Sequence, residues 1–99
     1  MNKKWKAKWV KALRSGKYVQ VRDALCAELD RGDVGYCCLG VLRHLMHPKS
    51  VLQMEDDNLL HQRHEAKAGL TTAQQITLAT MNDDGKSFNE IAACIERWL

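Results

Sequence analysis

The chain has 99 residues, 45% of them hydrophobic, with one Pro, six Gly and a formal net charge of +3, a composition that suits one globular domain over residues 1–99 and argues against a disordered tail. Its charge is unevenly placed: residues 1–22 hold six Lys and two Arg with no acid, a net +8, whereas the remainder holds seven basic residues against twelve acidic ones, a net −5. No stretch approaches the roughly 20 consecutive apolar residues of a membrane span, and Lys interrupts Trp5, Trp9 and Val10 where a secretory signal would need an apolar run, so no membrane partner and a cytoplasmic setting are expected.

Asn2 is placed to cap a helix running to Arg14, with Gly16 just beyond its end. At about 100° per residue, Trp5, Trp9, Val10, Ala12 and Leu13 share one arc with Lys6 at its edge, and Lys3, Lys4, Lys8, Lys11 and Arg14 share the other. This predicts an amphipathic helix with a cationic back. Lys17–Val21 alternates and predicts a short strand, leaving room for a two-stranded hairpin near Tyr18–Val21. Asp23–Leu29 reads equally as helix or hairpin arm. Asp30–Gly35 is a turn by composition. Cys37–Met46 is apolar almost all round and predicts a buried helix that Pro48 ends.

His47–Asn58 is loop-like and acidic at Glu55, Asp56 and Asp57. A short helix is expected over Leu59–Ala68, closed by Gly69. Thr72 with Gln75, and Ser87 with Glu90, have capping-box spacing and predict helices over 73–81 and 88–98. The last carries Phe88, Ile91, Ala92, Ile95 and Trp98 as a core-facing stripe. The expected fold is therefore mainly α: one compact domain of four to five short helices with that small hairpin.

Several motifs invite sharper readings. The basic start with its aromatics could neutralise phosphates and stack on unpaired bases, although Trp5 and Trp9 lie on the core arc. Thr72–Trp98 imitates a helix-turn-helix, but its last helix offers Arg97 as its single cation beside Glu90 and Glu96, which would meet phosphate unfavourably. Asn82-Asp83-Asp84-Gly85 hints at a calcium loop. With Gly85 at position 6, Ile91 falls where the bidentate acid is needed, so a polar turn is the better reading. His44-x-x-His47 and His61-x-x-His64 near Cys37 and Cys38 suggest zinc. Adjacent Cys point apart on a helix, however, and no C-x-x-C pair exists, so no metal and no cofactor are expected. Cys37 near a helix start could be an activated thiol, but its apolar surroundings favour packing, and Cys26, Cys37, Cys38 and Cys94 read as free thiols. Gly85-Lys86-Ser87 lacks the upstream Gly of a phosphate loop.

Three segments share a pattern: Trp9-Val-Lys-Ala-Leu-Arg-Ser-Gly-Lys-Tyr18 with Gln20, then Tyr36-Cys-Cys-Leu-Gly-Val-Leu42, then Met81-Asn-Asp-Asp-Gly-Lys-Ser-Phe-Asn-Glu-Ile-Ala92 with Ile95-Glu96. In order and spacing they resemble a family of small proteins encoded by bacteriophages and prophages, over most of the chain except Val51–Thr71. The resemblance implies a phage accessory protein of the host bacterial cytoplasm and not a catalyst of a known class. Small accessory proteins of this kind often disable host factors, and some sequester defence signals.

One polar set is left unexplained by packing: Arg14, Ser15, Lys17, Tyr18, Gln20 and Arg22. Arg can supply a bidentate fork, Lys a point charge, and Tyr and Gln can read the rest of an anionic ligand. A solvated connector accounts for the same residues equally well. The expected function is non-enzymatic: inhibition or subversion of a host function, defence included, by binding an acidic protein surface or a phosphorylated, nucleotide-like small molecule. A nucleic-acid-binding module and a metal- or thiol-dependent enzyme are the alternatives.

Overall fold

A computed structural model describes residues 1–48 and 59–99; the acidic segment around Glu55, Asp56 and Asp57 lies outside the described residues. The first helix, α1 (Lys3–Arg14), starts where Asn2 Oδ1 accepts a hydrogen bond from Trp5 N, and ends at Ser15 with Gly16 left-handed (φ +74°). Trp9, Val10 and Leu13 are buried on its inner arc. Trp9 also donates from Nε1 to the Cys38 carbonyl at 2.7 Å, so its one polar atom is satisfied inside the core.

Three short strands follow: β1 (Val19–Gln20), β2 (Cys26–Glu28) and β3 (Val34–Tyr36), in the order β1-β3-β2. The antiparallel hairpin is β2–β3, with Cys26 opposite Tyr36, around a 3₁₀ turn at Asp30–Gly32. Tyr18–Val21 is not the hairpin expected there. It supplies a parallel edge, with Val19 opposite Gly35 and Gln20 opposite Tyr36. The reason is the reversal that follows it: Asp23 takes a left-handed φ of +65° and its N–H donates to Asp83 Oδ1, fixed by a residue sixty positions away.

The second helix, α2 (Cys38–Met46), is buried on nearly every face, as its apolar sequence predicts. Its approach to the hairpin is set by Gly40, where a Cβ would lie 1.7 Å from the Leu25 carbonyl oxygen. Only glycine allows that contact between the helix and the residue that leads into β2. The third helix, α3 (Gln62–Ala68), begins three residues later than expected, because Leu60 N donates to the buried Gln75 Oε1 and holds the preceding chain extended. The fourth, α4 (Thr72–Asp83), is capped by Thr71 with Gln74, one residue earlier than the spacing at Thr72 suggested. The fifth, α5 (Phe88–Trp98), has the Ser87–Glu90 capping box and buries Phe88, Ile91, Ala92 and Ile95.

Trp98 does not join them and is 51% exposed. At about 100° per residue it sits at the edge of the core-facing arc, about 20° beyond the buried Ile91, and it is the last residue of the helix. The core packs α1 against α5 and α2, with α4 behind α2 and the small sheet at one side. The fold is mainly α: five helices and one small sheet among the described residues.

Candidate functional site

The structure divides the polar set around Arg14 into parts. Arg14 forms an ion pair with Glu96 on α5 and so is turned away from the rest. Gln20 is structural: its Nε2 donates to Asn82 Oδ1 at 2.9 Å and to the Lys86 carbonyl at 2.7 Å. Arg22 lies against the Gly85 turn, where an added Cβ would come 3.1 Å from its Nη2. Ser15, Lys17 and Tyr18 remain together.

These three line an open groove of about 300 Å³ with Lys8, Lys11 and Ala12 of α1 and Leu45 of α2. Lys8, Lys11 and Lys17 are exposed, while Ala12, Tyr18 and Leu45 are partly buried beneath them. The two ion pairs among the described residues, Arg14–Glu96 and Lys86–Glu90, involve none of these lysines. The polar atoms of the floor are already engaged. Ser15 Oγ donates to the Ala12 carbonyl at 2.6 Å and accepts from Lys17 N at 3.2 Å. The Tyr18 hydroxyl bonds His44 Nδ1 at 2.9 Å, and its ring meets Tyr36 edge-on at 5.3 Å. Burial raises the Tyr18 hydroxyl above its ordinary value and lowers the His44 imidazole. The groove is therefore an apolar floor with three flexible ammonium groups around it.

Lys8 and Lys11 are visible in the sequence as part of the cationic arc. Leu45 is not, because only the packing of α2 on α1 brings it there. A larger open groove, about 460 Å³, runs along α4 and α5 between Thr77, Met81, Cys94, Arg97 and Trp98, but Arg97 is its single charged residue.

Residues 1–65 match the model of a family described as a domain of unknown function, DUF8296. The chain belongs to that family. Every residue that lines the lysine groove falls within the DUF8296 stretch, whereas the groove along α4 and α5 falls outside it. No curated protein and no solved structure matches the chain.

The thiols of the DUF8296 stretch do not resemble catalytic ones. Cys26, Cys37 and Cys38 are buried. Burial pushes Cys37 up to about 11 despite its hydrogen bond from Gly40 N, and Cys38 well above its ordinary value. Both are therefore neutral thiols near pH 7 and poor nucleophiles.

The histidines separate: His44 joins the Tyr18–Tyr36 cluster, while His47, His61 and His64 gather beside Arg43. His64 is only 2% exposed and neither ring nitrogen has a hydrogen-bond partner among the described residues. Burial first, then Arg43, His47 and Arg63, lower it to about 4. Among the described residues no three His, Cys, Asp or Glu side chains are placed to hold a metal.

Proposed function

We propose that this DUF8296 member is a non-enzymatic accessory protein, of the phage-encoded kind its sequence resembles, acting in the host bacterial cytoplasm. It inhibits or subverts a host function, defence included, by holding an acidic partner surface against the cationic face of α1 and its groove. The observation that carries this reading is the set of three lysines, Lys8, Lys11 and Lys17, around one groove and in no ion pair among the described residues. Like charges gathered around one groove, two on α1 and one just beyond its end, raise the local potential and steer an anionic partner into encounter.

A phosphorylated small molecule is the second ligand class for the same cations. Nucleic acid has less support. Trp9 is buried, and the partly buried Trp5 ring lies under Lys8 Nζ at 5.1 Å and Lys67 Nζ at 5.3 Å, so neither indole offers a free face for base stacking.

The test is affinity capture from phage-infected bacterial lysate with the wild type and with Lys11→Glu/Lys17→Glu, analysed by mass spectrometry for proteins and small molecules. Arg14 is the wrong residue to reverse, because it is bound to Glu96. The reading expects a partner recovered with the wild type and lost with the variant, at an unchanged melting temperature. Capture and infected-cell activity that survive the charge reversal refute it.

A further inference from the structure

We infer that the groove receives a partner segment in which one large apolar side chain is flanked by carboxylates; this deepens, and rests on, the acidic-partner reading above. The floor and the rim ask for different chemistry. Ala12, Leu45 and the Tyr18 ring present apolar surface, and the hydroxyls of Ser15 and Tyr18 are spent on Ala12 O and His44 Nδ1. An apolar anchor can occupy that floor without leaving a polar group unpaired. Around it, Lys11 and Lys17 are long, flexible and in no ion pair among the described residues, and Lys8, which rests on the Trp5 ring, has no acidic partner there either, so the three can follow carboxylates spaced along a chain.

A compact phosphate is poorly served in the same place. Phosphate sites draw on helix N-termini, nests of backbone N–H groups and arginine forks. Here Lys11, Ala12 and Ser15 belong to the C-terminal end of α1, and Leu45 to the last turn of α2. Those ends carry partial negative charge. The one nearby fork, Arg14, is committed to Glu96. Negative groups are best met at the lysine tips, out from the helix ends, which is where carboxylates flanking a seated anchor would lie.

The experiment uses the full chain and a fluorescently labelled peptide with one Phe between runs of Glu and Asp, read by anisotropy at low salt. A matched peptide with Ala in place of Phe, and ATP, are the comparison probes. We expect the Phe peptide to bind about tenfold more tightly than the Ala peptide, to weaken steeply with salt, and to be lost with Lys11→Glu/Lys17→Glu. Leu45→Asn, with its melting curve recorded alongside, removes the difference between the two peptides. In ¹H–¹⁵N spectra the Phe peptide shifts the Ala12, Tyr18 and Leu45 amides. Equal binding of the two peptides overturns the inference, because the floor is then not read. Tight binding of ATP with neither peptide bound overturns it in favour of a phosphate ligand and leaves an anionic partner in place. If no probe binds yet lysate capture still depends on Lys11 and Lys17, the inference falls and the broader reading survives; capture that ignores the charge reversal removes both.

Discussion

Asn82 joins three parts of the chain. Its Oδ1 accepts from Cys38 N at 3.1 Å and from Gln20 Nε2, and its Nδ2 donates to the Val21 carbonyl at 2.8 Å. The residue is 0% exposed, and its truncation would strand Cys38 N inside the core and leave the half-buried Val21 carbonyl without its donor, while Gln20 keeps the Lys86 carbonyl. At about 1–3 kcal/mol for each unsatisfied buried group, Asn82→Ala should lower unfolding free energy by about 3 kcal/mol or more in urea titrations.

His64 makes a second prediction at this scale. Its imidazole titrates near 6.5 when unfolded and is lowered to about 4 in the fold. The unfolded chain therefore takes up the proton first. The resulting penalty on the fold is absent above pH 6.5, grows as pH falls from 6.5 to 4, and levels off below. It can reach about 3 kcal/mol, at about 1.4 kcal/mol per unit. His64→Phe should flatten the stability profile over that window, and a profile identical to wild type would show that other groups set it.

Among the helices, α5 divides sharply between residues that look equivalent in a periodic pattern. Ile91 and Ile95 are fully buried, whereas Trp98 is half exposed beside Cys94 and Arg97. Ile95→Ala should cost about 2–5 kcal/mol. Trp98→Ala should cost clearly less, within about 1 kcal/mol of a surface substitution. Thermal unfolding of the pair measures the difference, and the opposite order would mean that Trp98 is covered in solution. The same scale sets the place of α2. Gly40→Ala forces a methyl group into the Leu25 carbonyl, a contact that only displacement of the helix or the hairpin can relieve. Loss of cooperative unfolding, or a large fall in melting temperature, is expected by circular dichroism.

For the molecule as a whole, the +8 of residues 1–22 is only partly neutralised by the −5 of the rest. Arg14 is held by Glu96, and Lys6 Nζ donates to the Glu96 carbonyl, so part of the α1 charge fastens α1 to α5. Exposed pairs of this kind contribute about 0–1 kcal/mol. Lys11→Glu/Lys17→Glu should therefore leave the melting temperature within a few degrees, since neither lysine is in such a pair among the described residues, while partner association slows and loses its salt dependence. A melting temperature that drops steeply would place those lysines in the fold instead.

Much of the fold is legible in local chemistry. Asn2 and Ser87 begin helices because their side chains accept from backbone N–H groups a few residues on, and α1, α2 and α5 bury their apolar arcs where the 3.6-residue period puts them, Trp98 at the arc's edge excepted. The mainly α class follows from those elements. The cationic start is equally plain, because charge is counted and not folded.

Non-local pairing decided the rest. The parallel edge at Val19–Gln20 depends on Asp23 being held by Asp83, and the late start of α3 on Leu60 being held by Gln75. The polar set at residues 14–22 looks like one site along the chain, yet hydrogen bonds to distant residues commit Gln20 to Asn82 and Arg14 to Glu96. What stays available for binding is then Lys17 with Lys11, and Lys8 where it leans on Trp5, over a floor that Leu45 completes only because α2 packs on α1. A side chain's partner is set by what tertiary packing brings within hydrogen-bonding reach, and that distance is not written in its neighbours along the chain.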